Sequence, residues 1–328
     1  MTGLIMLLMA QEVPSNETIT QEVQTTESQT QLQEENYTEE QTTQSQSEEV
    51  KPSIYNDGEY LYAHPDYSFE LNFTDVPSGV KSIKYMVDHS GTWKDYTEPI
   101  KLQEEGYHAI VYQAIDRVGN RAAQKEFEVI IDASAPESYI GYTGNAYRGD
   151  DGKLYVSSST KFAITSRDAL SGVKEIKVEK DGETAGTYKF PFSIEQEGDH
   201  VINYWAVDNV GNVENKKSFS VFVDTTAPDV KIVSSKEPVN INGTLYVSGD
   251  YIFTIETNDT ASGVSQVLVS VDGMPYKKYT SPIVFLTPGT HTISAVAVDN
   301  VGNVSDEITA EFVVDVLPPQ GEVVPVAK

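Results

Sequence analysis

Apolar and polar residues alternate in short runs along most of the chain. Examples are KFAITSR at 161–167, EIKVEKD at 175–181 and IFTIETN at 252–258. A period of two places apolar side chains on one face of an extended segment and polar side chains on the other. These runs carry no helical periodicity, so the pattern predicts an all-β protein.

Four landmarks recur with one period. The tripeptide SGV begins at Ser78, Ser171 and Ser262, and a D-x-VGN turn begins at Asp116, Asp208 and Asp299. A histidine recurs at 108, 200 and 291, and an exit aspartate recurs at 132, 224 and 315. All spacings lie between 91 and 93 residues. Internal repeats of this kind indicate tandem copies of one structural unit.

The period divides the chain into three domains. We name residues 52–135 domain 1, residues 136–227 domain 2 and residues 228–320 domain 3, followed by a C-terminal tail at 321–328. Each copy contains about seven short β segments separated by turns, which is typical of an antiparallel immunoglobulin-like β-sandwich. The predicted fold is therefore three tandem antiparallel sandwiches.

The amino terminus differs in composition from the repeats. Residues 1–10 contain the apolar run GLIMLLMA, which fits a partial signal peptide. Residues 11–51 form a Glu/Gln/Thr-rich stretch, with ten Glu and nine Gln among residues 11–50. Such a stretch cannot bury enough apolar surface to fold, so we expect a disordered acidic tether.

Charge and cysteine content exclude several classes of function. The formal net charge is −27, which disfavours binding of nucleic acid or of an anionic membrane surface. The chain has no cysteine, which excludes disulfides, thiolate metal sites and a cysteine nucleophile. Three extracellular-type sandwiches without cysteine favour a bacterial envelope protein, either at the outer membrane and cell surface or in the periplasm.

The recurring motifs resemble those of a known family. SGV, the D-x-VGN turn and the exits VIIDASAP and VFVDTTAP are similar to bacterial Ig-like tandem repeats, in particular the repeat domain of the leptospiral outer-membrane surface protein family. The resemblance covers residues 55–320. It implies a cell-surface protein that binds host extracellular matrix.

The recurring aspartates form candidate metal sites. In a sandwich with strands A to G, the SGV and VGN turns lie at the end opposite to the exit of strand G, so each exit aspartate should meet the turns of the next domain. The predicted groups are Asp132, Asp168 and Asp208 at the first joint, and Asp224, Asp259 and Asp299 at the second. Three carboxylates with loop carbonyls suit Ca²⁺. Aspartates that only accept backbone hydrogen bonds in turns are the alternative.

Domain 1 has no sandwich before it in this scheme, so its turns form a free loop tip. The candidate binding residues at this tip are Asp75, Ser78, Trp93, Arg117 and Asn120, and strand edges offer further contact surface. The recurring histidines stand one to a domain, so we expect them to be structural.

These observations predict a non-catalytic surface or envelope protein. We expect it to use tandem domains for adhesion or for binding a protein or glycan, without a transmembrane span and without a cofactor other than Ca²⁺. The alternative is a polysaccharide-binding or spacer module of an envelope enzyme system, in which Trp93 would contact sugar.

Overall fold

The computed structural model describes residues 50–324. The predicted signal peptide, the predicted tether up to residue 49 and the last four residues of the predicted tail lie outside the described residues.

The described chain consists of β-strands and turns. The strands of domain 1 are β1 (Ile54–Asn56), β2 (Leu61–Ala63), β3 (Ser68–Phe69), β4 (Val80–Val87), β5 (Lys94–Asp95), β6 (Ile100–Lys101), β7 (Gly106–Asp116) and β8 (Lys125–Ile131). Those of domain 2 are β9 (Glu137–Thr143), β10 (Ala146–Arg148), β11 (Leu154–Ser157), β12 (Lys161–Arg167), β13 (Val173–Lys180), β14 (Gly186–Thr187), β15 (Gly198–Asp208) and β16 (Lys217–Asp224). Those of domain 3 are β17 (Asp229–Ser234), β18 (Val239–Ile241), β19 (Thr244–Val247), β20 (Ile252–Asn258), β21 (Val264–Val271), β22 (Lys277–Lys278), β23 (Ile283–Val284), β24 (Gly289–Asp299) and β25 (Ile308–Val314).

Each domain repeats one sheet order. The six-stranded sheets run β1-β2-β8-β7-β4-β5, β10-β11-β16-β15-β13-β14 and β18-β19-β25-β24-β21-β22. In each of them one pair is parallel, formed by the second strand in the sheet order and the last strand of the domain. A second, smaller sheet completes the sandwich. The prediction of an all-β chain with three tandem immunoglobulin-like sandwiches is therefore confirmed.

The alternating pattern places one face of each strand in a core. In β12, Phe162 and Ile164 are buried, while the flanking Lys161 and Thr165 are exposed. The same positions in β20 hold Phe253 and Ile255, which are also buried. Each domain has a separate apolar cluster, and these clusters are centred on Ile110, Ile202 and Ile293 in the long strands β7, β15 and β24.

The small sheet of domain 1 differs from the other two. In domain 2, β12 pairs along its whole length with β9, and in domain 3, β20 lies between β17 and β23. The corresponding strand of domain 1, β3, has two residues and pairs only with β6 among the residues described. Domain 1 thus has no described counterpart of β9 and β17, the first strands of their domains.

Each recurring histidine fixes a strained turn. Asp88, Asp181 and Asp272 adopt φ of 52°, 51° and 50°, a left-handed conformation that aspartate tolerates better than most residues. The histidine Nδ1 lies 2.7–2.9 Å from that carboxylate, and its Nε2 lies 2.7–2.9 Å from a backbone carbonyl four residues earlier. Both nitrogens face acceptors, which suits the protonated ring. The predicted structural role of these histidines thus has a specific partner that the sequence did not reveal.

Protonation of His108 and His291 stabilises the fold. The Asp272 carboxylate raises the pKa of His291 above its usual value, despite partial burial of the ring. Burial opposes protonation of His108, but the Glu104 carbonyl and the Asp88 carboxylate together raise its pKa. A raised histidine pKa contributes stability that is fully present below about pH 6.5 and is lost as the pH rises through the folded-state pKa.

We predict that Asp272→Asn lowers the pKa of His291, because the ring loses its charged acceptor. An NMR titration of the imidazole measures this shift directly. Asp306→Asn, an acid in the same domain, serves as the control and should leave the His291 titration unchanged. A wild-type His291 that titrates at or below pH 6.5 would contradict the assignment.

Candidate functional site

The exit aspartate of domain 1 is buried in its contact with domain 2. Asp132 is 0% exposed, and its Oδ2 accepts a hydrogen bond from the backbone N–H of Ser171 at 2.9 Å. Its backbone carbonyl accepts a second bond from Nδ2 of Asn212 at 2.9 Å. Its Oδ1 accepts the N–H of Ser134 in the linker at 3.2 Å. A domain 1 residue is therefore bonded to both turns of domain 2.

The SGV turn of domain 2 folds around Asp168. Oδ1 of this residue accepts the backbone N–H groups of Leu170 at 3.0 Å and Gly172 at 2.8 Å. Gly172 adopts φ of 81°, which explains the glycine of the motif. The Oδ2 atom of Asp168 accepts no hydrogen bond from the described residues, so it remains available to a ligand.

The VGN turn folds around Asp208 in the same way. Oδ1 of Asp208 accepts the N–H groups of Val210 at 3.0 Å, Gly211 at 2.6 Å and Asn212 at 2.7 Å. Its Oδ2 accepts Nδ2 of Asn212 at 2.6 Å. Asn212 thereby joins Asp208 to the exit residue of domain 1.

The three carboxylates converge at each joint. One oxygen from each of Asp132, Asp168 and Asp208 lies within 4.8 Å of the others. The second joint repeats the arrangement with Asp224, Asp259 and Asp299. The juxtaposition expected from the topology is therefore present, while occupancy by a cation stays a prediction.

Burial makes this concentration of negative charge costly. Burial raises the pKa of Asp208, and the charge of Asp132 adds to the effect. Burial likewise raises the pKa of Asp259, with further contributions from Asp224 and Asp299. A raised carboxyl pKa means that ionisation destabilises the folded state, and this cost grows as the pH rises from the unfolded-state pKa to the folded-state pKa, above which it is complete. A bound cation would offset it.

A serine hydroxyl lacks a partner at both joints. Oγ of Ser171 and Oγ of Ser262 are buried and make no hydrogen bond within the described part of the chain. The equivalent Ser78 of domain 1 donates to Oδ2 of Asp75 at 2.7 Å. Buried polar atoms without partners are rare in native structures. Each orphaned hydroxyl lies on the turn whose N–H binds the exit aspartate, and it is a further candidate oxygen ligand.

The oxygen set fits a hard cation. Calcium–oxygen distances are about 2.3–2.6 Å, so oxygens that share one ion lie up to about 5 Å apart. The spacing within 4.8 Å at each joint satisfies this limit. A cleft of about 400 Å³ lined by Ser134, Glu137, Arg167 and Asp168 lies at the first joint and gives the Asp168 carboxylate access to solvent.

A second set of hydrogen bonds holds the two domains together at each joint, and the sequence did not predict it. The backbone N–H of Ser53 donates to the carbonyl of Val210 at 2.8 Å, and Nδ2 of Asn145 donates to that of Val301 at 2.9 Å. Val210 is 0% and Val301 1% exposed. A Cβ on Gly211 would lie 2.7 Å from the Lys51 carbonyl, so this turn requires glycine for the close approach as well as for its φ of 102°.

The free tip of domain 1 gathers four of the five predicted binding residues. Asp75 and Ser78 form the SGV turn, and the Arg117 N–H donates to the Gly79 carbonyl at 3.2 Å. Asn120 donates through Nδ2 to Asp116 Oδ2 at 2.7 Å.

Placing Trp93 at this tip was wrong. It immediately precedes Lys94, which pairs with Tyr85 near the far end of β4, whereas the tip adjoins the start of β4 at Val80. Trp205 is partly buried in β15, with Nζ of Lys216 4.6 Å from its ring centroid.

Comparison with known proteins does not assign a family. No family model matches the chain and no curated protein matches it, so the leptospiral resemblance is not confirmed.

Several solved structures are similar to the chain. Fibronectin(III)-like modules of Clostridium thermocellum CbhA are 14% identical over 57% of this chain and 100% of theirs, with a TM-score of 0.30. A structure concerning host cell surface retention of a 1.5-MDa bacterial ice-binding adhesin is 14% identical over 73% of this chain and 90% of its own, with a TM-score of 0.35. Bacteroides ovatus SGBP-B in complex with a mixed-linkage heptasaccharide is 15% identical over 81% of this chain and 70% of its own, with a TM-score of 0.18. With TM-scores this low, these similarities carry no argument about function.

Within residues 50–324, no helix is long and apolar enough to span a membrane.

We predict that Asp208→Ala destabilises the protein by about 3 kcal/mol or more, because it leaves several buried N–H groups without a hydrogen-bond acceptor. Asp116→Ala is the matched control. It removes the same turn residue from the partly exposed tip, where water can replace the carboxylate, and should cost about 1 kcal/mol. Calorimetric unfolding resolved into its component transitions measures both. Equal losses for the two variants would contradict a joint-specific role of Asp208.

Proposed function

We propose that this chain is a non-catalytic bacterial envelope protein that presents a macromolecule-binding surface on calcium-stiffened tandem sandwiches. The observation that carries this proposal is the repeated joint, in which the recurring aspartates bind the turns of the next domain. These polar residues thus have an architectural role, and a role in a reaction is not needed to account for their recurrence. The exported setting rests on cysteine-free tandem sandwiches and on the apolar amino terminus.

Calcium would act at the joints. Asp132, Asp168 and Asp208 would hold one ion and Asp224, Asp259 and Asp299 another, each supplying a carboxylate oxygen. The ion would neutralise carboxylates that are costly to ionise because they are buried. It would also hold the exit of one domain against the turns of the next. Binding would favour the docked arrangement over a hinged one because the ligands come from two domains.

We predict that Ca²⁺ raises the melting temperature and that EDTA reverses the change. A ligand at about a hundred times its dissociation constant stabilises the folded state by about 2.7 kcal/mol. The shift should be larger at pH 7.5 than at pH 5, because the carboxyls of Asp208 and Asp259 have raised pKa values and must lose their protons before they bind a cation.

Two variants and a matched control localise the effect. Asp168→Asn and Asp259→Asn should each reduce the calcium-dependent shift at one joint. Asp75→Asn changes the equivalent residue at the free tip and should leave the shift intact in dilute protein. Melting that is insensitive to both Ca²⁺ and EDTA would refute the calcium part of the proposal.

The tip of domain 1 is the proposed contact surface. Asp75, Ser78, Arg117 and Asn120 converge there, and Val118 beside them is 73% exposed. Exposed apolar residues framed by polar ones are typical of interaction sites. The ligand class that we propose is protein, with host extracellular matrix as the specific candidate that the family resemblance suggests.

A polysaccharide ligand is the second candidate, and the partly buried Trp93 would serve it. We predict that Val118→Asp abolishes binding to immobilised matrix proteins, because a charge at the centre of the contact must be desolvated. Trp93→Ala, far from the tip, should leave this binding unchanged. Retention on insoluble glycans that is lost with Trp93→Ala, without any binding to protein, would favour the polysaccharide alternative.

A further inference from the structure

The turns at the tip of domain 1 carry the same recurring residues as the turns at the two joints, but no other domain of the described chain packs against them. Val118 occupies the position of Val210 and Val301, which the preceding domain buries almost completely, yet it is 73% exposed. Asp116 accepts the N–H of Val118 at 2.9 Å and that of Asn120 at 2.8 Å, as Asp208 does in its own turn. The surface is therefore formed, and the described residues place no exit end of another domain against it.

Among residues 50–324, no strand takes the place of β9 at the edge beside this tip. In domain 2, β9 pairs with β12 from Glu137↔Arg167 to Thr143↔Lys161. The SGV register aligns β12 with residues 68–74 of domain 1, whose described partner is β6 alone. A groove of about 260 Å³ lies along this segment, lined by Phe73, Ala114 and Ala122 among others. Ala122 stands where domain 2 has Glu214, which accepts the N–H of Ser138 in β9 at 2.9 Å.

The segment after domain 3 carries the sequence of such a strand. In domains 2 and 3 an isoleucine follows the exit aspartate by eight residues, at Ile140 and Ile232, and packs against the core. Eight residues after Asp315 stands Val323, which is 96% exposed. The exit turn is already formed, because the Leu317 N–H donates to Oδ1 of Asp315 at 2.9 Å.

We propose that the segment Asp315–Val324 of a second copy of this chain adds as the missing first strand to the open edge of domain 1. Asp315 of that copy would then join Asp75 and Asp116 in a third three-carboxylate group. The Ser78 N–H would bind its Oδ2, as the Ser171 N–H binds Asp132. Strand addition to an exposed edge supplies main-chain hydrogen bonds together with a pocket for alternate side chains.

The register inherited from β9 is sterically consistent. Ile140 faces Ile164 in domain 2, so Val323 faces the buried Leu71. Ser138 faces Ser166, and at this position a glycine of the second copy, Gly321, faces the larger Phe73. The pair in domain 2 consists of two small side chains, whereas the proposed pair combines a large side chain with glycine. The side chains therefore fill the space between the strands in both cases.

The sequence of the tail also suits an edge strand that ends the sheet. The backbone N–H and C=O of Phe162 are both hydrogen-bonded to Phe192. Phe162 therefore makes no backbone hydrogen bond with Tyr142, its partner in β9, and the Tyr142 N–H points away from β12. Pro325 stands at the position of Tyr142 in the aligned tail, where a missing N–H removes no ladder bond.

The residues that precede domain 1 in its own chain fit the edge less well. The 92-residue register places Glu48 at the position of Ile140. A carboxylate there would be desolvated against Leu71 without a partner, which costs free energy that Val323 does not incur. The two sequences therefore favour a donor from another molecule.

The arrangement is heterologous, since the exit end of one copy binds the entry end of another. Such contacts generate rings or open chains of molecules. The inference rests on the proposed function only in taking the tip of domain 1 as a contact surface, and it names a second copy as the partner of that surface.

Two single-cysteine chains test the register directly. The native chain has no cysteine, so introduced thiols are unique. Tyr139 pairs with Thr165, which places Glu322 of one copy opposite Asn72 of the other. Cα atoms of such a hydrogen-bonded pair lie about 5.5 Å apart, within reach of a disulfide. Mixing the Asn72→Cys chain with the Glu322→Cys chain under oxidation should yield a product of twice the chain mass.

The matched control is the Val323→Cys chain mixed with Asn72→Cys. Its thiol would point to the opposite face of the strand and should leave cross-linking at background. Val118→Asp in the Asn72→Cys chain should reduce the cross-linked product, whereas Trp93→Ala should not. All these positions except Trp93 are largely exposed, so folding is preserved.

Two results would overturn the inference. One is equal cross-linking of the Glu322→Cys and Val323→Cys chains, or none at the highest soluble concentration. The other is an intrachain disulfide in a Ser47→Cys, Asn72→Cys double variant that abolishes the interchain product, since the chain would then supply its own strand. Matrix-protein binding by the tip without self-association would leave the proposed function standing and refute this inference alone.

Discussion

Each described joint depends on a buried aspartate at the end of one domain whose hydrogen bonds come from the next. Asp132 and Asp224 are both 0% exposed, and their Oδ2 atoms accept an N–H from Ser171 and Ser262 respectively, each at 2.9 Å. A buried carboxylate without these donors would be strongly unfavourable, so the two domains must meet in one arrangement. The exit of one unit and the turns of the next therefore keep matching positions at both described joints.

Much of the architecture could be predicted from the sequence because the recurring landmarks mark equivalent positions in each domain. Strand alternation indicates sandwiches, and the topology of a sandwich alone predicts that Asp132, Asp168 and Asp208 come together. The pairing of His291 with Asp272 was missed because the two residues are 19 apart and only the hairpin register unites them. Trp93 was misplaced because sequence proximity to the SGV turn does not reveal which end of β4 a hairpin lies at.

The joints concentrate negative charge where the protein can least solvate it, which connects the fold to the proposed binding of calcium. Backbone N–H groups of the two turns bind three of the six carboxylate oxygens at each joint, yet burial still raises the pKa values of Asp208 and Asp259. Protons and divalent cations are therefore alternative means of relieving the same cost. At the tip of domain 1 the described residues supply no exit aspartate to the turns, and there Val118 is exposed and the Ser78 hydroxyl donates to Asp75.

The measurement that tests this account most directly is the stoichiometry of calcium binding to the dilute wild-type chain by equilibrium dialysis at neutral pH. Two ions per chain are predicted, one for each joint, and one ion should be lost in a chain carrying Asp168→Asn. No bound calcium above background, or a stoichiometry unchanged by Asp168→Asn, would contradict the account and leave the aspartates as turn-forming residues alone.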